Sequence, residues 1–276
     1  MTTGGLETFI VDAFTERAFG GNPAGVVVLD RPRGEEWMQA VAAELKHSET
    51  AFTGPPDEAG IRPLRWFTPA TEVDLCGHAT LATAHVLGGS QRFSTRSGVL
   101  TCTADRDGRV EMDFPADPPL PVDDGALRSQ LAAALPGVPI RAAARGISDL
   151  LVEAASATDV RSLRPDFPAL TAVPGRGVIV TAPGNGAPAG GAQAGGADGA
   201  DFVSRCFYPR AGIDEDPVTG SAHCTLGCWW SPRLGRAELT GEQASPRGGL
   251  VRVTVRGDRV ALAGRAVTVL RGTLLA

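Results

Sequence analysis

The chain has 276 residues, 43% of them hydrophobic, which suits two domains of ordinary size or one large one. A net charge of −5 leaves no basic footprint and sets nucleic acid aside as a partner. No apolar run approaches the roughly 20 residues of a membrane span. The stretch from Met1 to Thr8 lacks the apolar core of a secretory signal, so the expectation is a cytoplasmic protein that does not engage a membrane. Five cysteines, an odd number, argue against a disulfide framework in such a protein. Cys224 and Cys228 stand one helical turn apart, but no His/Cys pair lies at zinc-like spacing, so buried structural thiols are expected and no metal.

In chain order, Thr8–Val11 and Gly25–Leu29 read as strands flanking a turn-rich loop, Phe19–Pro23. Glu35–Leu45 has the periodicity of an amphipathic helix, with Trp37, Met38, Val41, Ala42 and Leu45 on one face. Short strands follow at Thr50–Thr53 and Leu64–Phe67. The segment after Gly77 is alanine-rich and uncharged, as expected of a helix buried on most sides. Val99–Thr103 and Val110–Phe114 form a hairpin around Asp107-Gly108. Pro115–Asp124, with four prolines, is the expected interdomain linker, which places the domains at 1–118 and 119–276, with the last strand free to pack back on the first. The second half repeats the grammar. Strands are expected at Leu150–Glu153, Gly177–Val180 and Phe202–Arg205, a buried helix after Gly220, a hairpin of Val251–Val255 with Val260–Ala263, and a last strand at Val267–Leu270. Gly184–Ala200 reads as a Gly/Ala-rich surface loop.

Two segments look like copies. Arg65-Trp66-Phe67-Thr68-Pro69 is followed by Cys76-Gly77-His78-Ala79-Thr80, and Arg205-Cys206-Phe207-Tyr208-Pro209 by Thr219-Gly220-Ser221-Ala222. Both read R-x-F-x-P, then an acidic loop, then a polar residue directly after glycine at a helix start. Helix starts attract anions through unpaired N–H groups and the helix dipole, so each is a candidate carboxylate cradle. Glu49 lies in an otherwise uncharged segment at a strand edge, where partial desolvation would raise its pKa toward the range useful for moving protons. Read from that segment alone, it is equally a surface glutamate. His78 and Ser221 occupy matching positions of the two copies. Asp216 sits in the longer second loop, either as a capping charge or as a functional carboxylate, and Asn22 either shapes its turn or reaches a site.

Phe19-Gly20-Gly21-Asn22-Pro23-Ala24-Gly25, Ser48-Glu49-Thr50-Ala51-Phe52, Cys76-Gly77-His78-Ala79-Thr80 and Glu215-Asp216-Pro217-Val218-Thr219-Gly220-Ser221-Ala222 stand in the order and spacing of one family. Together they resemble the phenazine-biosynthesis isomerases of the PhzF type, from about Phe9 to the C-terminus. The resemblance implies an α+β, diaminopimelate-epimerase-like fold. In it, two pseudo-symmetric lobes, each a curved, mostly antiparallel sheet around a central helix, enclose the active site. It implies catalysis without metal or organic cofactor, a small carboxylate substrate, and a homodimer. It assigns catalysis to Glu49, which moves a proton from one carbon to another, aided by His78 and Asp216. Substrate binding falls to Asn22, Ser48, Gly77, Ala79, Thr219, Gly220 and Ser221.

Racemases of this fold set two cysteines against each other. Here Cys76 holds one such position and Thr219 the other, and a threonine hydroxyl is too weakly acidic to replace a thiol. A one-base isomerase is therefore favoured over an amino-acid epimerase. A metabolite-binding protein without turnover is the alternative from another class. The GC-rich composition fits a secondary-metabolite (antibiotic) pathway.

Overall fold

The computed structural model describes residues 5–184 and 199–276, so Met1–Gly4 and all but three residues of Gly184–Ala200 lie outside the described residues. By its contacts the α+β chain divides into two units, Met1–Asp113 with Ala263–Ala276, and Phe114–Leu262. The division falls at 113/114, five residues before the 118/119 boundary that the proline run indicates.

In the first unit, β1 (Leu6–Ala13) pairs antiparallel with β2 (Asn22–Val28), and α1 (Glu35–Leu45) crosses over to β3 (Glu49–Thr53), parallel to β2. Antiparallel β4 (Ile61–Phe67) and β5 (Glu72–Val73) follow, then α2 (Gly77–Leu87). Next come β6 (Ser90–Thr95), parallel to β4, and antiparallel β7 (Gly98–Ala104) and β8 (Val110–Pro115). The last strand, β18 (Ala266–Leu274), pairs antiparallel with β1 from Leu6↔Leu274 to Ala13↔Ala266, which puts the C-terminal segment in this unit.

The second unit repeats that order. After β9 (Leu120–Pro121) and α3 (Gly125–Ala134), β10 (Ile140–Arg145) pairs antiparallel with β11 (Leu150–Ala154). Two short helices, α4 (Ala157–Ser162) and α5 (Phe167–Ala172), cross over to β12 (Val178–Pro183), parallel to β11. Antiparallel β13 (Phe202–Tyr208) and β14 (Ile213–Asp216) lead into α6 (Gly220–Leu234). Then β15 (Glu238–Gln243) lies parallel to β13, and β16 (Gly249–Arg256) antiparallel to β15. The strand β17 (Arg259–Gly264) carries the chain back across the division. From β1 to β7 and from β10 to β16, each strand pair has a counterpart of the same direction. The duplication read from two sequence segments is a duplication of whole units.

Both long central helices are built to be buried. In α2 the residues from His78 to Ala84 are all buried, against β1, β2, β3, β6, β7 and β18. Its two buried threonines satisfy their hydroxyls on the helix itself, Thr80 on the Cys76 carbonyl at 2.5 Å and Thr83 on the Ala79 carbonyl at 2.7 Å. In α6, Gly227 allows close approach to β16, since a Cβ there would lie 2.5 Å from Val253. On the outer faces, α1 buries Met38, Val41 and Ala42 against Phe52 and Phe67. In the second unit, Leu131, Val160 and Leu170 pack on Val152, Val180 and Phe207.

One local reading is corrected. The strand β2 starts at Asn22, inside the stretch read as a loop, because Asn22 and Pro23 are in register with Ala13 and Asp12. The Asp12 carboxylate accepts the Phe19 N–H at 2.6 Å and closes the connection. Gly21 holds φ +61°, and a Cβ there would meet the Ala13 carbonyl oxygen at 2.1 Å, so the turn excludes any other residue.

Candidate active site

In the first unit, three chain segments converge on the first turn of α2. Asn22 comes from the start of β2, Ser48 and Glu49 from the start of β3, and Cys76 is the N-cap of α2. They surround the buried imidazole of His78. Asn22 Nδ2 lies 3.2 Å from His78 Nδ1, Ser48 Oγ 3.3 Å from Nε2, and Glu49 Oε2 3.3 Å from Nε2. Ser48 also donates to Asn22 Oδ1 at 3.4 Å, so that amide turns its NH₂ toward the ring. An NH₂ can only donate, which makes Nδ1 the acceptor and leaves the ring proton on Nε2, aimed at Glu49 and Ser48. Glu49 itself is only partly buried: its side chain is 15% exposed against 5% for His78. The pair can therefore present a carboxylate base to a ligand while a neutral imidazole holds it in place.

Cys76 Sγ lies 3.5 Å from His78 Nδ1. Glu49, Cys76 and His78 form, among the described residues, a group of three metal-capable side chains with ligand atoms within 4.8 Å of one another. The imidazole, however, meets the thiol with Nδ1 and the carboxylate with Nε2, on opposite sides of the ring. One cation bound by all three would require the ring to turn, so this arrangement fits a hydrogen-bonded relay better than a metal site. Gly77 has no side chain and that of Ala79 is fully buried, which leaves only backbone groups to offer at these two positions. His85 lies apart from the group and meets Thr268 Oγ1 at 3.2 Å.

The second unit has its own polar group at the first turn of α6. Thr219, the N-cap, donates its hydroxyl to Asp216 at the end of β14, and its N–H to Gln243 Oε1 at 2.8 Å. Gln243 Nε2 donates to the Asp216 carbonyl at 2.7 Å and to Thr219 Oγ1 at 3.3 Å. Asp216 thus holds the capping residue's hydroxyl. Ser221 is bonded by Arg176 Nη2 at 3.0 Å, and Arg176 is held in turn by both oxygens of Asp149, at 2.9 and 2.6 Å. Sequence reading passed over Gln243, Asp149 and Arg176. Arg176 precedes the strand equivalent to the one Glu49 starts, and aligning the halves beyond the R-x-F-x-P segments points to it. His223, one turn on, is fully buried. Burial pushes its pKa down to about 4, only partly offset by the 2.8 Å bond from Nδ1 to the Thr219 carbonyl.

Two fold units, each with a polar residue one position into its long central helix, His78 and Ser221, make up the chain. The chain belongs to the PhzF family: the family model described as phenazine biosynthesis-like protein matches residues 11–272. It is 46% identical, over 98% of both chains, to a Pseudomonas aeruginosa protein named as an uncharacterized isomerase. A solved PhzF-family structure from Enterococcus faecalis is similar at TM-score 0.87 and 41% identity, over 98% of each chain. A predicted epimerase from Pseudomonas aeruginosa, 21% identical at TM-score 0.74 over 98% of this chain and 99% of that one, shares the fold. The protein is thus an isomerase of the PhzF family. Among the described residues no helix is long and apolar enough to cross a membrane.

Proposed function

We propose that the protein moves a proton between carbons of a small unsaturated carboxylic acid, without a cofactor, with Glu49 as the acid/base. The Glu49 carboxylate takes a proton from a carbon made acidic by adjacent unsaturation, and the electron pair spreads into the conjugated system. Protonated Glu49 then returns the proton to another carbon of the same molecule. His78 orients Glu49 and stabilises its charge. The family resemblance also assigns Asp216, Thr219, Gly220 and Ser221 to the substrate, and N–H groups at a helix start suit its carboxylate. The observation that carries the proposal is the 3.3 Å Glu49–His78 pair, with the carboxylate as its more exposed member.

A two-base racemase would need a second thiol at the Thr219 position. The hydroxyl found there is committed to Asp216 and Gln243, which supports the one-base reading. A homodimer acting in the cytoplasm on a secondary-metabolite intermediate completes the proposal, and equilibrium sedimentation reads its oligomeric part. The chemical test is proton NMR in deuterated water on a panel of small conjugated carboxylic acids. Wild-type protein is expected to place deuterium on a substrate carbon, and Glu49→Gln to lose that exchange while staying folded. Exchange at the wild-type rate in Glu49→Gln overturns the proposal.

A further inference from the structure

In the first unit, the residues entering the strand after the crossover, Ser48 and Glu49, reach the polar residue one position into the central helix, His78. The topologically equivalent place in the second unit is the turn entering β12, and it holds Arg176. That side chain also reaches the polar residue one position into its central helix, Ser221, at 3.0 Å. The duplicated frame thus builds a positioning contact twice, with different chemistry in each copy.

Asp149 and Tyr208 fix the guanidinium. Asp149, with a side chain only 4% exposed, takes Nε and Nη2 in a bidentate pair. Tyr208 donates its hydroxyl to the same carboxylate at 3.3 Å, and its ring lies under the guanidinium, 5.2 Å from Cζ. Burial holds the tyrosine pKa well above its ordinary value, so the hydroxyl stays a donor. Arginine has donors only, so Ser221 Oγ must accept from Nη2. Among the described residues no group takes the proton of Ser221. The adjacent positive charge polarises that O–H and strengthens it as a donor. The Arg176 side chain is 46% exposed, so the pair is not sealed in the core.

We propose that Arg176, clamped by Asp149 and Tyr208, is a positioning residue that makes Ser221 a dedicated hydrogen-bond donor to an anionic oxygen of the substrate. The inference rests on the proposed isomerase reading and deepens it: the group at Ser221 is a carboxylate or enolate oxygen, never a donor such as an ammonium.

The test uses acetate as the carboxylate probe and Tyr208 as the reporter. Tyr208 is the only tyrosine in the chain, so tyrosine labelling gives one NMR signal, beneath Arg176. Acetate is expected to shift that signal in wild-type protein. Ser221→Ala and Arg176→Gln should each weaken acetate roughly tenfold, and the double variant should be no weaker than either single one, because Arg176 acts through Ser221. Ser221→Thr, which keeps the hydroxyl, should restore most of the affinity. Additive losses, an unchanged affinity in Arg176→Gln, or no Tyr208 shift in wild-type protein overturn the proposal. Failure of the isomerase reading is distinguished by Glu49→Gln: persistent exchange there, with the acetate results intact, removes the Glu49 mechanism and leaves the Arg176 role standing.

Discussion

Arg65 and Arg205 make the same pair of contacts in the two units. Each grips a glutamate with two nitrogens, Glu72 at 2.6 and 2.6 Å and Glu215 at 2.7 and 2.8 Å, and each lies 5.1 Å over the ring of the phenylalanine two residues on, Phe67 or Phe207. The R-x-F-x-P motif is therefore a folding device: it pins the acidic loop that leads into each central helix.

The two copies are not equally costly to break. Arg205 is buried and also donates to the Leu163 carbonyl at 2.6 Å, whereas Arg65 is a third exposed and Arg96 also pairs with Glu72, at 2.5 Å. Arg205→Gln leaves Glu215 largely without its counter-charge and should cost about 3 kcal/mol, while Arg65→Gln should cost about 1 kcal/mol. Denaturant unfolding of both variants measures the difference, and equal losses would contradict it.

Asn22 sets the tautomer of His78. Long-range ¹⁵N correlation spectra should show the wild-type ring protonated at Nε2 alone. In Asn22→Ala the ring should exchange between tautomers, and proton transfer by Glu49 should slow roughly tenfold. An unchanged ring spectrum in the variant would remove Asn22 from this role.

His223 makes stability depend on pH. Its pKa is depressed from 6.5 to about 4 in the fold, so between those values the unfolded chain binds the extra proton. The contribution is complete above about pH 6.5 and is lost as pH falls toward 4, on the order of 3 kcal/mol over the window. Comparing wild type with His223→Gln by urea unfolding at pH 7 and near pH 4.5 should show a pH-dependent loss in the wild type that is smaller in the variant.

Thr219 is held as a structural donor. Thr219→Val removes the hydroxyl shared by Asp216 and Gln243 and should cost about 2 kcal/mol, while Thr219→Ser should cost well under half of that. Equal costs for both substitutions would mean that the methyl group, not the hydroxyl, matters.

Much of this was legible in the residues. The alanine-rich run after Gly77 announced a buried helix, and the paired motifs announced the duplication, because repeated backbone contacts leave repeated residue types. Glu49 and His78 stood out through their motifs, and the fold sets them in contact. By contrast, α4 and α5 have six residues each, too short for periodicity to register, and are started by caps at Ser156 and Asp166. The role of Asn22 was obscured because a Gly-Gly-Asn-Pro run reads as a turn, while its register with Ala13 depends on a partner strand. Arg176 was hidden for a similar reason: its significance comes from Asp149 and Ser221, 27 and 45 residues away.

Neither N-cap residue of the two long central helices caps its helix with its own side chain. Cys76 makes no such bond, and Thr219, a good capping residue, spends its hydroxyl on Asp216. In the proposed reading, an anionic substrate takes the place that a cap would have filled. By mass action, an anion bound there adds its binding free energy to folding. The ligand-free protein is then the most heat-labile and protease-sensitive form of the molecule, and resistance to either becomes an assay for the right substrate that requires no knowledge of the reaction.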